Sequence, residues 1–129
     1  MRLGIEAGGH TLDVAVRHGI KGVPIYIDGL VNDGLEKTLA PLKERGLAVC
    51  QIGAFGYNPL STDEAAQEKQ TKMLEQAIPL ANDTGCSYIV ICGGNYHPSG
   101  FGAVDLRNFR PDVLDKIARK LEPLVKLAE

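Results

Sequence analysis

"QAIPLANDTGCSYIVICGG", residues 76–94, decides the fold. Apolar residues at helical spacing run up to Gly85, and a β-branched run, "SYIVIC" (87–92), follows almost at once and ends on Gly93 and Gly94. A Gly just past a helix stops it, because Gly takes the left-handed conformation without steric cost. A continuous apolar run between such stops reads as a strand buried on both faces, the habit of parallel sheets. The same order occurs earlier, where "TLAPLKERG" (38–46) leads into "LAVCQIGAFG" (47–56). A third Pro-Leu helix, "ARKLEPLVKLAE" (118–129), lacks the Gly and the apolar run, so the pattern predicts a further strand where this sequence stops.

Working outward, the alternation extends along the chain. "RLGIEA" (2–7) reads as a first strand and "TLDVAVRHG" (11–19) as a short helix ended by Gly19. "VPIYID" (23–28) is a second strand, with Pro24 tolerable near its start. Residues 33–46 and 61–85 read as helices opened by capping boxes, Asp33 with Glu36 and Ser61 with Glu64. Residues 110–129 form the final helix, with Pro111 in its first turn. Strand and helix alternate four times, the order of parallel strands joined by right-handed crossovers. Pro41, Pro79 and Pro123 fall inside successive helices, 38 and 44 residues apart, as expected of a repeated unit with one variable loop. An interior Pro costs a straight helix about 3 kcal/mol, so each marks a bend over the sheet.

The expected fold is therefore α/β, a four-stranded parallel (βα)4 sheet with outer helices, in one domain covering residues 1–129. An open flavodoxin-like sheet with helices on both faces is its structural rival. The hydrophobic fraction is 44% and the charged fraction 23%, with both signs interspersed and a net charge of −2. That gives no electrostatic reason to expect nucleic acid or a membrane surface as partner. Three cysteines make no disulfide framework, and Cys50 and Cys92 fall in predicted strands, where a free Cys packs as a small hydrophobe. No signal-peptide stretch and no 18-residue apolar run occurs, and the chain reads as cytoplasmic.

The joins from helix to strand are tight, and those from strand to helix are long, up to 17 residues in "GGNYHPSGFGAVDLRNF" (93–109). Parallel α/β folds bind ligands at the carboxyl ends of strands, where these long joins lie. An unstructured connection of that length is functional or mobile. The face carrying Glu6, Asp28, Tyr57, Asn58, Asn95 and His97 is thus the candidate active face.

"MRLGIEAGG", "GLEKTLAPLKERGLAV", "GYNPLSTDE" and "AIPLANDTGCSYIVICGG" resemble the sugar phosphate isomerase/epimerase family with its xylose-isomerase-like TIM barrel. The resemblance runs the length of the chain but covers the N-terminal half of the family, its first four βα units. It implies half a barrel ending at an element boundary, with strand five as the missing run after Glu129. It further implies that a complete barrel uses a divalent metal (Mn, Mg, Zn or Co), whose ligands, with the proton-transferring Glu pair, belong to the later strands. No cofactor is expected from this chain alone.

What this half would bring is a substrate-facing wall for a small sugar or sugar phosphate: Glu6, Asp28, Asn58, Asn95 and His97. Three of them have a plainer reading beside it. Glu6 is either a hydroxyl contact or a solvated strand-end charge, and Asp28 either touches substrate or forms an Asx turn. Asn58, before Pro59, faces a pocket or shapes the loop. His97, just past the Gly pair, contacts substrate in a complete enzyme; His10 and His18 supply no ligand spacing that would make it a metal site. Tyr96 and Phe101 stand ready to stack on a sugar or to close a lid. Gly8, Gly9 and His10 open a helix whose free N–H groups suit an anion, although they match no phosphate-loop pattern.

Two functions follow. One is the N-terminal portion of a metal-dependent isomerase or epimerase, inactive alone. The other is a non-catalytic half-barrel module that self-associates. Related endonuclease-type barrels need more His ligands and a basic groove than this composition offers. Open sheet edges and uncovered apolar surface predict a homo-oligomer.

Overall fold

A computed structural model describes residues 11–129, Phe101 by its backbone alone. The predicted first strand, Glu6 and the Gly8–His10 turn lie outside the described residues. The chain forms two compact units, Met1–Ala54 with Gln76–Val90, and Phe55–Glu75 with Ile91–Glu129.

The first unit carries the sheet. Helix α1 (Thr11–Arg17) precedes strand β1 (Gly22–Tyr26), and helix α2 (Leu35–Glu44) precedes β2 (Ala48–Ala54). Helix α3 (Glu64–Ala81) ends in a 3-10 turn, Asn82–Thr84, and Gly85 follows at φ 77, the left-handed stop its position predicts. Strand β3 (Ile89–Ile91) completes the order β1-β2-β3 among the described residues. The strands are parallel, with Ile25 beside Ile52. Burial alternates along β1, putting Val23 and Ile25 into a core shared with Ile52, Leu39, Leu42 and Ala77. Removing each such Ile, Val or Leu from water contributes about 1.5–3 kcal/mol.

The register slips once: Val23 faces Val49, but Pro24 faces Gln51, so Cys50 is an extra residue in β2. A bulge is where a strand accepts a Pro, whose missing N–H breaks no ladder bond. The carbonyl of Cys50 accepts a hydrogen bond from the Tyr88 hydroxyl at 2.5 Å.

Three expectations about local structure need correction. The second strand ends at Tyr26, not Asp28: Ile27 and Asp28 are helical and lead into a π-helical turn, Gly29–Asp33. Ile27 and Leu30 are both buried, three residues apart, and that helical spacing wins over the strand pattern. Neither capping box forms. Gly34, at φ 87, holds the N-cap of α2, and Asp33 pairs instead with Lys37 at 2.6 Å. At α3 the cap is Asp63, whose carboxylate accepts from Ala66 N–H at 2.9 Å, while Ser61 Oγ accepts from Asp63 N–H. Finally, β3 is half-buried along its three residues rather than buried on both faces, as befits the last strand in the sheet order.

The second unit contains the start of α3, the joins at 55–63 and 92–112, and helix α4 (Val113–Ala128). Its core is Tyr57, Leu60, Met73, Leu74, Val113 and Leu124. The interior prolines stand where the repeat put them, Pro41 in α2, Pro79 in α3 and Pro123 in α4.

Candidate functional site

The 17-residue join expected to be unstructured is built around a buried side chain. It holds two 3-10 turns, Gly100–Gly102 and Leu106–Phe109, and Asn95, 5% exposed, sits among them. Asn95 Nδ2 donates to Gly100 O at 2.9 Å and Ala103 O at 2.7 Å. Its Oδ1 accepts from His97 N–H at 2.9 Å and from Asn108 Nδ2 at 2.7 Å. Two donors and two acceptor sites are all an amide side chain has, and here all are used.

Asn58 ties the other join to this one. Its Nδ2 donates to Asn95 O at 2.8 Å, and its Oδ1 accepts from Asn95 N–H at 2.8 Å and Leu60 N–H at 3.1 Å. Gln67, one turn into α3, donates to the carbonyls of Asn58 and Pro59. Gly94 is required where the joins meet. It sits at φ 99, and a Cβ there would stand 2.8 Å from Leu60 Cγ.

His97 is half-buried. Its Nδ1 accepts from Ser99 N–H at 3.1 Å, which leaves Nε2 as the ring nitrogen open to a ligand. Beside it Asp105 receives Arg107 through Nε at 2.9 Å and Nη2 at 2.7 Å, and through the backbone N–H at 2.9 Å. The Arg107 guanidinium, chiefly by these hydrogen bonds, holds the Asp105 carboxyl down at about 2. Such an acid is an anion at neutral pH and a poor proton acceptor. Arg107 also lies 4.9 Å from the centre of the Tyr96 ring and donates to Tyr96 O, so the ring is engaged by a cation.

On the helical side of this unit a groove of about 680 Å³ runs past Leu60, Gln67, Tyr96, Lys116, Arg119 and Lys120. Two of its three cations are engaged, Lys116 by Asp112 at 2.7 Å and Lys120 by Gln67 Oε1 at 2.9 Å.

Of the five residues singled out, Asn58, Asn95 and His97 come together in the second unit. Asp28 belongs to the first unit, exposed, with no side-chain cap bond, so its Asx role does not form. Glu6 lies outside the described residues. The sequence reading missed Asn108, Arg107 and Gln67; the Asp105-x-Arg107-Asn108 cluster carried a turn signal that goes with these side chains. Among the described residues, no three His, Cys, Asp or Glu side chains converge to hold a metal ion. Their donor set therefore does not fit the divalent metal that the resemblance implies for a complete barrel. Nor is any described helix long and apolar enough to cross a membrane.

Parallel strands with helices between them and long joins at the strand ends define an α/β class of architecture. Residues 12–129 match the family described as Xylose isomerase-like TIM barrel, and the chain belongs to that family. Three solved structures are similar. The 3-keto-D-glucoside 4-epimerase YcjR from E. coli, apo form, is 20% identical with a TM-score of 0.69, over 99% of this chain and 52% of that one. Protein SMc04130 from Sinorhizobium meliloti 1021 is 18% identical with a TM-score of 0.64, over 98% and 46%. A D-psicose 3-epimerase, in the presence of D-fructose, is 16% identical with a TM-score of 0.63, over 99% and 48%. The chain thus spans about half the length of the solved structures it matches, as half a barrel does. No curated protein matches the sequence.

Proposed function

We propose that the chain is the N-terminal portion of a metal-dependent sugar or sugar-phosphate isomerase or epimerase, supplying substrate-facing loops and inactive by itself. The observation that carries this reading is the family match over residues 12–129. The reaction class moves a proton at the carbon beside a carbonyl. Asp105 is not poised to take that proton, since it is committed to Arg107.

The residues divide the work. Asn58 and Asn95 set the shape of the rim: the Asn95 side chain has no capacity left for substrate, while Asn58 spends its oxygen and one of its two N–H donors. His97 Nε2 is the hydroxyl contact on the long join. Asp28 and Glu6 are offered as further hydroxyl contacts on theirs, and metal ligands are left to residues beyond those described.

The test is a titration of the 15N-labelled chain with D-fructose and D-psicose, read by amide shifts. Shifts at millimolar sugar centred on His97, reduced in His97→Ala, support the reading. Shifts absent at every residue for both ketoses overturn the substrate-wall role. Incubation with ketose in deuterated water gives no deuterium beside the carbonyl from this chain alone; exchange would contradict its being inactive by itself.

A further inference from the structure

Helix α4 carries two apolar faces. Val113 and Leu124 are buried in the fold. A second row, Leu114, Ala118, Leu121 and Val125, falls at spacings of four, three and four, one stripe on a helix. Leu114 is 77% exposed and Val125 53%, Ala118 is exposed, and Leu121 is half-buried. The 3-10 turn Leu106–Phe109 lies against the same helix, with Leu106 82% and Phe109 75% exposed, and Val104 precedes it at 76%. Exposed apolar side chains gathered on one helix face mark an interaction surface, unlike those that stand singly on ordinary surface.

We propose that this face of α4 is covered by a second copy of the chain, whose α4 lies antiparallel across a two-fold axis. Two observations on the helix favour a copy over an unrelated partner. The stripe reads the same from either end, so an antiparallel copy sets Leu114 against Val125 and Ala118 against Leu121, large beside smaller at each layer. The row beside it, Asp115, Arg119, Glu122 and Lys126, has the same spacing and alternates in sign. Reversed against itself, it puts acid opposite base at each position: Asp115 opposite Lys126, and Arg119 opposite Glu122. Asp115 and Arg119 make no ion pair among the described residues, whereas Glu122 and Lys126 already meet at 2.8 Å. The interface thus runs through a helix face, where open sheet edges were expected from the sequence. The pairing requires no sugar and is a property of this chain by itself, since in a complete barrel the next βα unit would lie beside α4.

Sedimentation equilibrium on the full chain over a range of concentrations tests it. The expected species has twice the 13.9 kDa chain mass. Leu114→Lys alters an exposed side chain and should shift the dissociation constant upward at least a hundredfold with circular dichroism unchanged. Arg119→Glu alone should weaken the dimer about tenfold, and adding Glu122→Arg should restore it. A monomer at all concentrations, an open-ended aggregate, or a dimer indifferent to Leu114→Lys would each overturn the proposal. A double charge swap that fails to restore pairing would overturn the antiparallel geometry.

Discussion

Asn58 and Asn95, 37 residues apart in sequence, exchange two hydrogen bonds of 2.8 Å through one side-chain amide and one backbone. The pair works as a backbone-to-backbone ladder step would, but between two joins that have no strand to offer. Asn95 then spends its own side chain on four further partners. The strand-end loops of the second unit are therefore held by amides as well as by the apolar packing of Tyr57 and Leu60.

Asn95→Ala leaves two carbonyls, the His97 N–H and the Asn108 amide without their partner. A net loss of about 1 kcal/mol per bond, more for groups left buried, gives an expected destabilisation of about 3–4 kcal/mol. Asn58→Ala should cost about 2–3 kcal/mol on the same reasoning. Because both remove parts of one network, the double variant should lose less than the sum. Urea unfolding followed by circular dichroism measures all three, and single losses below ~0.5 kcal/mol would sink the account.

Gly94→Ala tests the close approach of the two joins. Position 94 sits at φ 99, and its Cβ would meet Leu60 Cγ at 2.8 Å and Pro59 Cγ at 3.1 Å. Left-handed strain of about 1–2 kcal/mol adds to the steric cost, so a loss above ~2 kcal/mol is expected. Gly93→Ala is the control, since nothing lies within 4 Å of a Cβ there. Equal losses at the two positions would show that the contact with Leu60 does not matter.

The Asp105 carboxyl supplies a pH dependence whose sign is fixed. Its folded-state value, about 2, lies below the usual carboxylate range because Arg107 hydrogen-bonds the ionised form. A depressed acid stabilises the fold above its unfolded value of about 4, and that contribution is lost as pH falls toward 2. Carboxyl-carbon NMR should place the Asp105 midpoint near the bottom of the carboxylate range. Arg107→Gln should move it upward, and Asp105→Asn should flatten the acid limb of stability against pH. An Asp105 midpoint near 4 would mean that the bidentate contact does not persist in solution.

How far the sequence carried differs from element to element, for physical reasons. The run at 89–91 after Gly85 and the run at 48–54 after Gly46 were legible because β-branched and apolar residues between Gly stops have few other uses. Asp28 was misplaced because "VPIYID" alternates like a strand while the buried pair Ile27 and Leu30 has helical spacing, and burial decided. The caps were misplaced locally: Ser61 and Asp63 compete for the same turn, and the carboxylate reached Ala66. Asn58 was left between two readings because its partner lies 37 residues away, beyond any local pattern. The two exposed ends of the α4 stripe, Leu114 and Val125, were invisible for the opposite reason. Period alone cannot say which of two apolar faces a fold will use.

Thr38 offers a gain rather than a loss. Its Oγ1, in α2 of the first unit, is buried and has no hydrogen-bond partner among the described residues. The backbone N–H of Thr38 is satisfied by Gly34 O at 3.1 Å, so the orphan is the hydroxyl alone. Burying a hydroxyl without a partner costs about 1–3 kcal/mol, and Val has nearly the same shape with no group to satisfy. Thr38→Val should therefore stabilise the chain by about 1 kcal/mol, seen as a higher urea midpoint at unchanged slope. Thr38→Ser keeps the hydroxyl and removes a methyl, and should destabilise instead. If Thr38→Val lowered the midpoint, the hydroxyl would have to be bonded in solution, and the packing of α2 over the Gly29–Asp33 turn would need a polar contact that this structure does not show.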